Sequence, residues 1–165
     1  MKQKVYIETS VISYLTAWRS RDLVIAGNQE TTQEWWARKD EFDLFISQFV
    51  LDEAAAGDSS AAHERLRTLA GIPELEVVEQ VIEMSQELIV QTALPANARL
   101  DALHISVAAL HQMHILLTWN CRHIANPMQR PTIESVIRGF GYQPPVICTP
   151  QELLEALNEN QQPDH

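Results

Sequence analysis

Short apolar runs alternate along this chain with longer stretches in which apolar residues recur at helical spacing. Val5-Tyr6-Ile7 reads as a first strand and Phe42 to Ile46 as a second. Leu75 to Val78 is a third, set off by the Gly71-Ile72-Pro73 breaker. Ile115-Leu116-Leu117-Thr118 is a fourth, the most apolar of the set and so expected at the centre of a sheet. Val146-Ile147-Cys148, entered after Pro144-Pro145, is a fifth. Helical patterns cover Val11 to Ala17, Leu23 to Lys39, Val50 to Ala56, Ser60 to Leu69, Glu79 to Thr92, Asp101 to Met113 and Thr132 to Phe140. A last helix, Pro150 to Leu157, opens with Thr149 as its cap, Pro150 at its first position and Glu152 two residues later. Strands separated by crossovers this long pair in parallel and need helices over both faces. The expected architecture is therefore α/β, three layers deep, around a parallel sheet of four to five strands. In such sheets, sites form beyond the carboxyl ends of the strands.

No repeat, low-complexity tract or linker interrupts the pattern, so residues 1–158 are expected as one domain and 159–165 as a short polar tail. No window approaches the roughly 18 uncharged apolar residues of a membrane span, so no membrane partner is expected. Glu8 interrupts the first apolar run too early for a signal peptide. Cys121 and Cys148 stand in no ligand-spaced pair, which suggests two free thiols in a reduced, cytoplasmic setting. The net charge of −10, from 22 acids against 12 bases, argues against a protein that grips nucleic acid with a basic surface. Bound divalent cations can supply the missing positive charge, and an acidic chain suits a basic partner.

Three acids draw attention by position. Glu8 directly follows the first strand, where it is either a crevice carboxylate or a charge favouring the next helix, with Thr9 or Ser10 as cap. Asp52 and Glu53 follow the second strand; being adjacent on a helix, they point to different sides, and either is open to reading as a first-turn acid. Asp101 opens an otherwise apolar helix interrupted only by His104 and Ser106, and an N-cap role is its bland alternative. That helix feeds the fourth strand, which ends in Trp119-Asn120-Cys121-Arg122-His123. Carboxylates gathered there would repel one another, and a divalent cation would relieve the repulsion. Mg2+ and Mn2+ accept hard oxygen donors and retain waters, so two or three carboxylates and the Asn120 amide oxygen suffice as ligands. No phosphate-binding glycine loop, zinc-protease helix or nucleophile elbow competes with this reading.

Four segments taken together resemble the PIN-domain family, close to VapC-type toxins. They are Val5 to Val11 around Glu8, Phe49 to Glu53, Asp101 to Ala108, and Leu117 to Ile124 around Asn120, in the family's order over residues 5 to 124. The resemblance implies a PIN-like three-layer fold and an endoribonuclease that cleaves single-stranded RNA through a metal-activated water. It implies Mg2+ or Mn2+ held by Glu8, Glu53, Asp101 and Asn120, which are also the catalytic residues. It further implies a toxin of a type II toxin–antitoxin pair, a small antitoxin that wraps the toxin and supplies a basic residue, and a homodimer. The chain departs from the family at three places. Glu8 stands where Asp is usual and reaches one methylene further, Asn120 adds no charge, and His123 replaces an acid found in many relatives.

Around this set, Thr9, Ser10, Thr118, Trp119, Arg122 and His123 are candidate substrate contacts. Thr9 and Ser10 either meet phosphate or metal-bound water, or cap the helix. His123 is a base or a phosphate contact, or else a packing or helix-capping residue, the reading favoured here. Of the four tryptophans only Trp119 is expected near the site; Trp35 and Trp36 divide between core and a partner interface, with the interface favoured. His111 and His114 read as capping or surface residues rather than zinc ligands. The alternative function is a PIN-fold module that binds RNA or protein with weak or no nuclease activity.

Overall fold

The computed structural model describes residues 1–92 and 94–161. Its elements follow in the order β1 (Gln3–Ile7), α1 (Thr9–Thr16), α2 (Leu23–Trp36), β2 (Phe42–Ser47), α3 (Gln48–Ala54) and α4 (Ser59–Leu69). There follow β3 (Glu74–Leu75), α5 (Glu79–Thr92), α6 (Arg99–Leu110), β4 (Ile115–Leu117), α7 (Arg130–Gly139), β5 (Val146–Cys148) and α8 (Pro150–Glu159). Of the tail at 159–165, residues 162–165 lie outside the described residues.

All five strands pair in parallel, in the order β3-β2-β1-β4-β5. The expected architecture holds, but the middle strand is β1 and not β4. An apolar run reports burial on both faces, which β4 has; strand order is set by how the crossovers turn, which composition does not record. The third strand is also shorter than expected and sits one residue earlier, as a two-residue edge beside the end of β2. Short edges of this kind limit pairing with other chains.

Helices α5, α6 and α7 pack together as one layer, and α1, α2, α4 and α8 as the other. α6 is buried from Ala102 through Ala109, as its small and apolar sequence demands of a helix without a polar face. It ends where Gln112 adopts a left-handed conformation, φ 55°, and the Met113 N–H returns to the Ala108 carbonyl at 3.0 Å. That closure turns the chain directly into β4. On α8 the Thr149 capping box forms as the sequence implied. α2 stops at Trp36 and gives way to a 3-10 turn at Lys39–Glu41. Trp35 is fully buried, its ring 6.1 Å from that of Phe42, so it belongs to the core and not to an interface. Trp36 is half-buried under the Lys39 ammonium, 5.3 Å from the ring centroid.

Candidate active site

Glu8 leaves the end of β1 in extended conformation and its N–H donates to the Leu117 carbonyl at 3.0 Å, which ties it to the neighbouring end of β4. Glu8, and neither Thr9 nor Ser10, is the N-cap of α1. Its Oε2 accepts from the Ser10 N–H at 3.0 Å, from the Ser10 hydroxyl and from the Thr118 hydroxyl at 2.9 Å. The shorter Asp, Asn, Ser and Thr usually fill this position. Here the longer side chain caps the helix with one oxygen while Oε1 has no donor among the described residues. The residue as a whole is only 5% exposed.

Glu53 reaches the same place from α3. Because α3 begins at Gln48, Glu53 lies in its last turn and not its first, so the helix dipole disfavours it and another cause must hold it there. Asp52 points to solvent and accepts from Gln48 Nε2 at 2.7 Å, which leaves the inward side to Glu53. Glu53 Oε1 accepts from the Thr9 hydroxyl at 2.8 Å and pairs with His104 Nε2. Burial pushes the Glu53 carboxyl up, but the hydrogen bond and charge of His104, aided by Thr9, outweigh burial and hold it below its ordinary value. Its Oε2 has no protein donor among the described residues.

His104 is the residue that sequence reasoning passed over. It sits in the buried middle of α6 with no exposed surface, three residues beyond Asp101. Its Nδ1 lies 2.7 Å from the Tyr6 hydroxyl, which lies 2.7 Å from Ser47 Oγ. Burial, the Glu8 charge and the Glu53 charge raise the Tyr6 phenol far above its usual range against the opposing Ser47 hydrogen bond, so it stays protonated. The available signal was that His104 is the single ionisable residue between Ala102 and Leu110, on a helix otherwise made for the core.

Asp101 and Asn120 form a second group beside the first. Asp101, in the first turn of α6 and not its cap, accepts from Asn120 Nδ2 at 3.1 Å and pairs with His123 Nδ1 at 2.8 Å. Asn120 Oδ1 accepts from the His123 backbone N–H at 3.0 Å. Thr118 joins the groups: its hydroxyl donates to Glu8 and accepts from the Asn120 N–H at 2.9 Å. Trp119 donates its backbone N–H to Ser10 Oγ and its indole N–H to Thr32 Oγ1, each at 2.8 Å, while its ring lies 5.5 Å from that of Tyr14. Arg122 is exposed and makes no ion pair with these acids. His111 and His114 lie apart from the cluster, bonded to the Glu76 carbonyl and the Lys4 N–H.

Glu8, Glu53 and His104 can each bring one ligand atom within 4.8 Å of the others. Among the described residues no lysine or arginine forms an ion pair with Glu8, Glu53 or Asp101. Two partly enclosed carboxylates, each with an unclaimed oxygen and no lysine or arginine partner among the described residues, fit a divalent cation. Among the described residues no helix is long and apolar enough to cross a membrane. A family model described as PIN domain matches residues 5–123, which takes in every residue of both groups. No curated protein matches the chain.

Proposed function

The chain belongs to the PIN-domain family, whose members are generally metal-dependent nucleases, and on that premise we propose that it is an endoribonuclease that cuts single-stranded RNA. The observation that carries this reading is the Glu8–Glu53 pair, delivered by two different elements to the carboxyl edge of the sheet with one oxygen of each unclaimed. Glu8 and Glu53, with Asp101 and Asn120 beside them, would hold Mg2+ or Mn2+. A bound cation of this kind activates water and offsets charge on a phosphodiester. The protein's own groups orient the parts. Ser10 and Thr118 fix Glu8, Thr9 and His104 fix Glu53, and Asp101 holds His123 by Nδ1, leaving Nε2 for a substrate phosphate. Half-buried Trp119, braced by Tyr14 and Thr32 and next to Asn120 in the chain, is the side chain on which a base would stack.

Residues 1–158 are taken as one domain, since β5 pairs with β4 and α8 packs on α2 beyond the matched span. The biological role we favour is the toxin of a type II toxin–antitoxin pair, a cytoplasmic homodimer neutralised by a small antitoxin. The net charge of −10 supports a basic partner. A second reading, a PIN-fold module that binds RNA or protein with weak or no nuclease activity, draws on the way Asp101 is already engaged by Asn120 and His123. The test is cleavage of single-stranded RNA with Mn2+, Mg2+ or chelator, for wild type and Asp101→Asn. Metal-dependent cleavage lost in Asp101→Asn supports the nuclease; cleavage indifferent to both metal and Asp101 rejects the mechanism; RNA or protein binding without cleavage favours the module.

A further inference from the structure

Resting on the metal-dependent reading above, we propose that His104 is a nitrogen ligand of the cation, so that the site prefers Mn2+ or a later first-row transition ion over Mg2+. Its Nε2 converges with oxygens of Glu8 and Glu53 from a third element, and all three ligand atoms fall within 4.8 Å of one another. The imidazole is fully buried, so it serves no solvent-facing purpose. Behind it stands Tyr6, and behind Tyr6 stands Ser47, each at 2.7 Å. A histidine that binds a metal through one nitrogen normally donates its other N–H to such a partner, which fixes both the tautomer and the ring.

The hydroxyl chain satisfies the ring in two arrangements. In one, Nε2–H donates to Glu53, the Tyr6 hydroxyl donates to Nδ1, and the Ser47 hydroxyl donates to Tyr6. In the other, the ring proton is on Nδ1 and donates to the Tyr6 oxygen, the Tyr6 hydroxyl donates to Ser47, and Nε2 offers its lone pair to the cation. Both arrangements give the ring one proton, so the exchange between them adds and removes none. Imidazole suits the later first-row ions Fe2+, Ni2+ and Zn2+ best, and among the ions that favour oxygen Mn2+ accepts it more readily than Mg2+, which demands near-ideal octahedral geometry and keeps several waters. One nitrogen among the donors therefore biases the site away from Mg2+.

The test is pulsed electron paramagnetic resonance on the full chain loaded with Mn2+, read alongside Mn2+ and Mg2+ affinities. The expected result is a 14N coupling from a directly bound nitrogen in wild type, kept in His123→Gln and lost in His104→Gln. Tyr6→Phe should keep the coupling and weaken Mn2+ binding by about 10–100-fold, the usual consequence of removing an outer partner. Should His104→Gln fail to fold, the wild-type spectrum and Tyr6→Phe decide. Mn2+ binding with no nitrogen coupling in wild type overturns the ligand role and leaves the nuclease reading standing. A folded chain that binds no divalent cation overturns both.

Discussion

Two acid–histidine pairs stand side by side at this sheet edge, and their surroundings differ. Glu53 and His104 meet across α3 and α6 with the imidazole wholly enclosed and wired back through Tyr6 to Ser47. Asp101 and His123 meet between α6 and the loop after β4, and the His123 side chain keeps 19% of its surface in solvent. The first pair is part of the scaffold: the hydrogen bonds it makes, to Thr9 and Tyr6, come from helix and strand residues that also help to build the core. The second hangs on a loop held mainly by local bonds, from the Asn120 N–H to Thr118, from the His123 N–H to the Asn120 side chain and from Ile124 and Ala125 to the Asn120 carbonyl. The same chemical pair is thus a rigid anchor in one place and an adjustable contact in the other. Loops carried on a rigid base are where substrate contacts usually lie.

That contrast is sharpened first by Glu53→Gln. If the enclosed pair anchors the cation, RNA cleavage should fall by more than the roughly 10–100-fold typical of outer-shell losses, with Mn2+ affinity falling in parallel by calorimetry. His123→Gln should cost about 10–100-fold in kcat while the melting temperature stays near wild type, since only the loop loses a contact. Equal losses of stability in the two variants would erase the distinction between anchor and contact.

A smaller effect should come from Tyr6→Phe, which leaves His104 Nδ1 and Ser47 Oγ without their shared partner inside the core. Urea unfolding should show about 1–3 kcal/mol of destabilisation, the usual cost of an unsatisfied buried polar group. The acid limb of stability offers a finer check. Glu53 is depressed in the folded chain, so its contribution is present above its unfolded value near 4.5 and is lost as pH falls through the lower folded value. The stability gap between wild type and Glu53→Gln should therefore narrow as pH drops below 4.5, and a gap independent of pH would remove the electrostatic part of the argument. The least perturbing probe is thiol alkylation at pH 8. Cys121, exposed in the loop beside Asn120 with its thiol raised by desolvation first and the Glu152 charge second, should react the faster of the two; Cys148, buried at the end of β5 with its thiol pushed up to about 12 by burial first and the Glu152 charge second, should resist until the chain unfolds. Comparable rates would mean that the sheet edge opens as easily as the loop.

Much of the fold was legible because periodicity and caps are local. The α5 span, the capped start of α8 and the β5 span follow from residues near one another in the chain. Strand order was not, since the middle place of β1 depends on how several crossovers turn at once. Within the site, the sequence marked Glu8, Glu53, Asp101 and Asn120 as strand-end or helix-end polar residues. It misjudged the local setting of Glu53, because α3 starts two residues earlier than its apolar pattern and the acid falls in the final turn.

What the sequence by itself determined is the inventory: an α/β chain, acids at the carboxyl ends of strands, and four segments in the family's order. Each depends on spacing along one stretch of chain. Only the tertiary structure decided the pairing, namely that Glu53 would meet His104, that Asp101 would meet His123, and that Tyr6 would stand behind one imidazole and not the other. Those contacts join residues as many as 98 positions apart, and their geometry is set by how the packed helices and sheet fit together.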